Sequence, residues 1–455
     1  MSYNSSMYYE AENYPSPGLP VEDPCLSFWL QRTRYSTLLG HRTTEHLPDT
    51  VEVAIIGSGL SGAATAYYLF NGPNPPKSVV MLEARDVCEG ATGRNGGHCR
   101  PDVFQGYSNY KQVFGKEQAL KIIQQEMDTL NLTIDLIEKE GIDCDLWKGN
   151  SLDIALDEPC AEKRRKSYHE FVADGGKVEG IVKLITDSSE AKRVSRMYNA
   201  ILTAIFPAAS LWPYKLVAHL LQLCIEKFGL NLQTFTPVTS VKADNSKWIL
   251  ETPRGNVAAE KIVYATNAYT ATLLPEFLGC IVPGQGQCAA IVPTNAYSGK
   301  RMLANTASYS WGEGNYDYLV QRPQDGIIIL GGGKHNVDSE KIRDLTDDTT
   351  KQPEITQYLK KAMETHFEGW GKERPGEGYL YDWTGIMAYT RESVPFVGKL
   401  EGKPNAYINA GHCGHGMARI TSCSKGIASL ISGGSWEDTK LPECFQPTTG
   451  RLKKE

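Results

Sequence analysis

The chain has 455 residues, 41% of them apolar and 22% charged, with a formal net charge of −6 and a pI of about 5.9. This composition belongs to a folded protein too long for one ordinary core, so two joined domains are expected. It offers no basic footprint for a phosphate backbone and no run of 18 apolar residues, so neither nucleic acid nor a membrane is an expected partner. Eleven cysteines run from Cys25 to Cys444 without paired C-x-x-C spacing. They read as reduced core thiols, and no metal site is expected. The first 25 residues lack the apolar centre of a secretory signal, and the end at Arg451-Leu452-Lys453-Lys454-Glu455 is not a peroxisomal address, so a cytoplasmic protein is expected.

Residues 1–47 are polar and proline-bearing around Ser27-Phe28-Trp29-Leu30, and read as a docking arm. Residues 51–56 form a nearly continuous apolar run, the pattern of a parallel strand covered on both faces. Gly57-Ser58-Gly59-Leu60-Ser61-Gly62 follows at once and leads into residues 63–69, whose small, helix-forming side chains suit a helix against a sheet. This is G-x-G-x-x-G in its required setting: Gly57 for the tight turn, Gly59 for backbone approach to a pyrophosphate, Gly62 for helix-on-strand packing. A second strand over 78–82 ends at Glu83, 21 residues beyond Gly62, where a carboxylate can bind ribose hydroxyls. Together these elements predict a dinucleotide site, without separating FAD from NAD.

Residues 84–98 are glycine-rich without strand pattern, a loop that wants a large flat partner. Over 116–139, Leu120, Ile123, Met127, Leu130, Ile134 and Ile137 recur at helical spacing, predicting one amphipathic helix whose stripe is core. Residues 147–156 and 280–293 alternate like strands, and 327–330 is a short buried-looking run, so a second, sheet-centred domain is expected. Residues 231–238 read as strand and turn, 261–270 as a strand end, and 406–410, 411–417 and 418–431 as strand, loop and helix.

The segment from Ala84 through Ala91-Thr92-Gly93-Arg94-Asn95-Gly96-Gly97-His98 resembles the E-A-x and A-[ST]-G-x-N-G-G loop of the D-amino-acid oxidase-like (DAO) superfamily of flavoproteins. The gamma-glutamylputrescine oxidoreductase branch looks most similar, and the resemblance covers about residues 27–431. Val238 resembles the family's adenine contact, and Thr266-Asn267 its strand end beside the pyrophosphate. Gly411-His412-Cys413-Gly414-His415-Gly416-Met417 resembles its A-G-x-x-G-H-G-[MF] turn, whose amides and following helix face the flavin O2. The resemblance implies FAD, bound by Gly57, Ser58, Gly59, Leu60, Ser61, Gly62, Glu83, Ala84, Arg85, residues 92–98, Val238, Thr266, Asn267, Gly411, His412, Gly414, His415, Gly416 and Met417. It implies an α/β fold with a Rossmann-type, glutathione-reductase-like FAD-binding domain assembled from 48–110, 210–270 and 390–440. An α+β substrate domain with a mixed or antiparallel sheet takes 111–209 and 271–389, and 441–455 is a C-terminal tail.

In this family the cofactor carries the hydride chemistry, so the protein must position a C–N carbon and secure an unprotonated amine. The resemblance turns Arg94, Asn95, His98, Arg100, Tyr316, Tyr318, Gln321, Trp383, Met387, Tyr389, Arg391 and His415 toward the flavin. His98 and His415 are expected to touch it, with Tyr316 and Trp383 walling the substrate cavity; loop histidines and core aromatics are the plainer alternatives. Gly385 stands where sarcosine-oxidase relatives attach flavin through cysteine, and Ala418 where they carry a lysine. Non-covalent FAD is therefore expected, with His98 and Cys413 as other attachment points, and simple sarcosine-like substrates are disfavoured. Cys99 and Cys413 otherwise read as inert buried thiols. The expected reaction turns an amine or amino-acid-like substrate into an imine, with molecular oxygen accepting the electrons as hydrogen peroxide. A flavin dehydrogenase or tailoring oxidase of a larger amine metabolite, an NAD-binding protein without flavin, and an FAD scaffold without turnover are the competing readings. The oligomeric state is left open.

Overall fold

The structure is a computed structural model that describes residues 14–452, so the outer parts of the expected arm (1–13) and tail (453–455) lie outside the described residues. Ala406–Ala410, Gly255–Tyr264, Thr50–Ile56, Val79–Leu82 and Asn231–Gln233 lie side by side in that order and run parallel. Phe396–Lys399 adds an antiparallel edge, and the hairpin Ser240–Asp244 and Lys247–Thr252 joins the start of Gly255–Tyr264. Residues 53–56, the strand Val79–Leu82 and residues 262–264 are buried and mostly apolar because both faces of the sheet are covered there. Val53, Ile55, Met81 and Val263 pack into the cluster that contains the helices Leu60–Phe70, Pro213–Phe228 and Ile420–Ile431. Ala54, Ile56, Val80, Leu82, Ile262 and Tyr264 pack on the other side with Leu250 and Phe277.

The second sheet has nine strands. Its order is Gly378–Tyr389, Val282–Val292, Ile328–Gly331, Asn315–Gln321, Thr306–Trp311, Trp147–Ala155, Leu202–Ser210 and His98–Cys99, with Lys183–Ile185 on Leu202–Ser210. Pairing is antiparallel except between Thr306–Trp311 and Trp147–Ala155, so the sheet is mixed. The glycine loop ends in this sheet: His98 pairs with Ser210 and Cys99 with Ala209, although its start serves the parallel sheet. The loop therefore crosses from one layer to the other and places its residues between them.

Two departures from the sequence expectations, and the placement of the arm, matter for the site. The long helix spans Tyr107–Lys139, with Gly115 at φ 79 interrupting its first turns, and its buried face carries Gln125, Glu126, Thr129 and Thr133 beside Ile123, Leu130 and Ile137. The arm, read as docking, forms the helix Phe28–Gln31, whose Phe28, Trp29 and Leu30 are buried, with Ser27 and Trp29 bonded to the glycine loop. The segment after 440 is docked rather than tail-like: Leu441 and Phe445 are buried, and Arg451 donates to the Pro395 and Phe445 carbonyls. No helix among the described residues is long and apolar enough to cross a membrane.

Candidate flavin site

The carboxyl ends of the parallel strands open onto one elongated cavity whose far wall comes from the second sheet. At its first end Glu83 follows Val79–Leu82, and its carboxylate accepts the Ser58 amide at 2.8 Å, the Ser58 hydroxyl at 2.7 Å and the Arg85 amide at 2.9 Å. Three donors fix the carboxylate at the cavity wall. Gly57 has φ +104, and a Cβ there would sit 2.7 Å from the Ala265 carbonyl oxygen, so the turn admits only glycine. The helix Leu60–Phe70 has Gly59 at its N-cap and no capping side chain of its own. The Leu60 amide instead donates to Thr92 Oγ1 at 3.1 Å, which ties the glycine loop to the helix start. Gly57, Gly59, Leu60, Ser61, Ala84, Arg85, Val238, Thr266 and Asn267 line the cavity. Ser58 and Gly62 do not; they shape the turn from behind.

The middle is built on the 3₁₀ turn Ala91–Arg94. The arm holds it: Ser27 Oγ donates to the Gly93 carbonyl at 2.5 Å, and Trp29 Nε1 to the Asn95 carbonyl at 2.6 Å. Arg94 Nη1 donates to the Cys25 and Thr384 carbonyls, and buried Asp348 pairs with both Arg85 (2.8 Å) and Arg94 (3.2 Å). Gly93 and Gly97 pack behind the loop, whereas Thr92, Arg94, Asn95, Gly96 and His98 line the cavity. Arg94 Nη2 is buried and finds no hydrogen-bond partner among the described residues, as expected of a wall made for a ligand rich in acceptors. Across the cavity, the Gly411 and His412 amides donate to Asn267 Oδ1 at 3.1 and 3.4 Å. Those two amides brace the strand ends, and Gly411 stays off the cavity; His412, Gly414, His415, Gly416 and Met417 line it. The helix Ile420–Ile431 beyond has no capping side chain.

At the second end His98 Nε2 lies 2.8 Å from Thr306 Oγ1 and 3.4 Å from Ser151 Oγ. Burial, then the Arg100 and His415 charges, push the His98 pKa well below the usual histidine range, so the ring is neutral. Arg100 and Tyr316 line the cavity together with Tyr318, Met387 and Tyr389. Trp383 does not: it is fully buried and donates through Nε1 to the Arg94 carbonyl at 2.8 Å, so it supports the glycine loop instead of walling a substrate. Gln321, bonded to Leu303 and Tyr297, and exposed Arg391 are also off the cavity. Gly385 lines it, and a Cβ there would sit 2.9 Å from Arg94 Cβ. Cys413 lines it as a thiol, its pKa raised by burial, with Sγ 3.2 Å from Thr390 Oγ1. Cys99 is buried against the Met417 carbonyl.

Two candidate groups escaped the sequence reading. Lys334 lines the cavity, donates to the Tyr389 hydroxyl at 2.6 Å, and has its pKa lowered by burial to about 8. Its signal was the Gly331-Gly332-Gly333-Lys334 run after a buried strand; Gly332 sits at φ +146 and the Gly333 amide donates to Asp317 Oδ1 at 2.8 Å. The second is Glu126, a buried carboxylate of the long helix, bonded to Arg419 at 2.7 Å and standing 3.3 Å from His415 Nδ1.

An elongated cavity with a glycine turn, a fixed acid at one end and a polar wall at the other fits a flavin dinucleotide. The description "FAD dependent oxidoreductase", DAO, matches residues 52–430. The chain is 23% identical over 421 residues to the probable oxidoreductase OrdL of Haemophilus influenzae, covering 90% of this chain and 89% of that one. It is 22% identical over 392 residues to gamma-glutamylputrescine oxidoreductase of Escherichia coli, covering 84% of each. Among solved structures, glycine oxidase from Geobacillus kaustophilus aligns with a TM-score of 0.68 at 20% identity, covering 88% of this chain and 99% of that one. L-proline dehydrogenase from P. horikoshii aligns at 0.66 and 22%, covering 88% and 98%. The match takes in the nucleotide turn, the glycine loop and the final turn, so the chain belongs to the DAO family of FAD-dependent oxidoreductases and its cofactor is FAD.

Proposed function

We propose that the enzyme oxidises the C–N bond of an amine that also carries an anionic group, an amino acid in the broad sense. The carbon gives up a hydride and the nitrogen a proton, leaving an imine that water hydrolyses; molecular oxygen takes the two electrons and two protons as hydrogen peroxide. FAD, when bound, accepts the hydride. Glu83, Val238, Gly57, Gly59, Leu60, Ser61, the loop from Thr92 to His98, Thr266, Asn267 and the turn from His412 to Met417 would hold it.

The observation that carries the substrate class is the charge of the wall. Arg100 and Lys334 line the cavity beside His415 and beside His98 and His335, whose pKa values burial lowers so that they add no positive charge, while among the described residues its one carboxylate is Glu83, at the nucleotide end. A cationic wall attracts an anionic group and repels a diamine. It also lowers the pKa of a bound ammonium, helping to secure the free amine that oxidation requires. Lys334, with a pKa of about 8, is a cation able to stabilise negative charge that develops on oxygen, and an amine able to take a proton. Two of the proteins similar to this chain are named for glycine and gamma-glutamylputrescine, both amines.

The test is anaerobic mixing of the yellow enzyme with a panel of amino acids and uncharged or dicationic amines, followed by air and a peroxide assay. Bleaching by amino acids with stoichiometric peroxide is expected. Bleaching by diamines alone would overturn the substrate class, and reoxidation without peroxide would overturn the acceptor.

A further inference from the structure

Glu126 is fully buried on the face of the long helix that also buries Ile123 and Leu130. A carboxylate in such a stripe persists only with partners. Its Oε1 accepts Arg419 Nε at 2.7 Å; its Oε2 accepts the Asp102 amide at 2.5 Å and stands 3.3 Å from His415 Nδ1. Arg419, also buried, is held by the Ser393 carbonyl and the Tyr110 hydroxyl, each at 2.9 Å. Burial opposes the charge on Glu126, but Arg419 and then His415 outweigh it and hold the carboxyl at about 2. An ionised carboxylate only accepts hydrogen bonds, so the proton between it and His415 sits on Nδ1.

We propose that Glu126 is a positioning residue for His415: it fixes the neutral ring as the Nδ1–H tautomer and aligns that ring at the cavity wall. The inference rests on the reading of the cavity as the place where His415 meets flavin and substrate. Nε2 is then where the ring gains or loses its second proton during turnover. The charged and titratable groups around it come from three elements. Glu126 and, behind Arg419, Tyr110 belong to the long helix, Arg419 to the final turn, and His98, Arg100 and Asp102 to the segment after the glycine loop. Asp102 is pushed up by burial and then by Glu126, and accepts the Phe104 and Gly106 amides, so Glu126 is the carboxylate that serves the imidazole. Were Glu126 present only to neutralise Arg419, its removal would leave the tautomer of His415 unchanged.

Histidine-selective ¹⁵N NMR of the holoenzyme separates these cases, with His415→Gln assigning the signal among the nine histidines. The wild-type ring is expected to show the Nδ1–H tautomer when neutral. Glu126→Leu keeps the approximate volume and removes the acceptor, and is expected to shift the neutral His415 ring toward the Nε2–H tautomer. An Nε2–H tautomer in the wild type, or an unchanged tautomer in folded Glu126→Leu, would overturn the proposal. The tautomer is measured on wild-type protein and survives any folding defect of the variant. Neither NMR reading needs a substrate, so a wrong substrate class would show in the bleaching panel and leave these readings intact.

Discussion

Replacing Gly62 by alanine tests the nucleotide turn at the point where the structure leaves least room. A Cβ at Gly62 would lie 2.0 Å from the Gly57 carbonyl oxygen, 3.1 Å from its carbon and 3.4 Å from Ile55 Cγ2. Ordinary contact begins at 3.4 Å, so the helix start must retreat from the turn by roughly 1.4 Å. Neither partner yields easily, because the Gly57 amide is bonded to the Leu82 carbonyl at 2.9 Å and the Leu60 amide to Thr92. Overpacking of this kind costs about 1–3 kcal/mol. Since each 1.4 kcal/mol is tenfold in an equilibrium constant, FAD affinity should fall by about five- to a hundredfold if the strain stands in the bound form. Titration of apo-enzyme with FAD, followed by flavin fluorescence, measures the dissociation constant, and thermal melting of apo- and holo-protein locates the strain. A variant that binds FAD within about twofold of wild type and melts at the same temperature would refute the reasoning that close helix-on-turn contact forms the site.

Glu83→Ala strands the Ser58 and Arg85 amides and should cost about 1–3 kcal/mol for each unsatisfied donor, read as weaker FAD retention on dilution; full retention would show that the acid does not organise this end. Trp383→Phe removes the bond to the Arg94 carbonyl and should lower the melting temperature by the equivalent of about 1 kcal/mol without changing substrate KM, whereas a raised KM at normal stability would return Trp383 to the substrate wall. Asp317 is buried, and despite bonds from the Tyr358 hydroxyl and the Gly333 amide its pKa rises from 3.8 to about 6. The folded carboxyl thus holds a proton that the unfolded one has released, so its contribution to stability falls as pH rises from about 4 to about 6. Asp317→Asn lacks this titration; the stability difference between variant and wild type should move toward the variant by roughly 3 kcal/mol across that window, and parallel urea-denaturation profiles at pH 4 and 7 would contradict it.

The nucleotide turn was legible because its signals are local: an apolar run, three glycines with separate steric tasks, and an acid at the end of the next strand. The second sheet was legible as strands but not as a surface. Alternation along Gly378–Tyr389 puts Trp383 on one face with Gly385, Met387 and Tyr389. Which of these meets the cavity depends on Arg94, whose side chain packs over Gly385 and whose carbonyl takes the Trp383 indole. Sequence spacing carries no trace of that cover. Glu126 was hidden for a related reason: a charge amid an apolar stripe reads as solvated, and its partner Arg419 is 293 positions away. Lys334 did have a local sign, a glycine triplet before a lysine, whose meaning came only once the strand Ile328–Gly331 was seen to deliver it to the cavity.

The claim at the centre of this account is that a cationic wall selects an amine by its anionic group. Stopped-flow measurement of anaerobic flavin reduction tests it, comparing the best amino acid from the panel with its methyl ester, which keeps the C–N bond and removes the carboxylate charge. Reduction by the amino acid and a loss of at least about tenfold in kred/Kd with the ester, equivalent to about 1.4 kcal/mol, is the predicted result. Equal or faster reduction by the ester would contradict it.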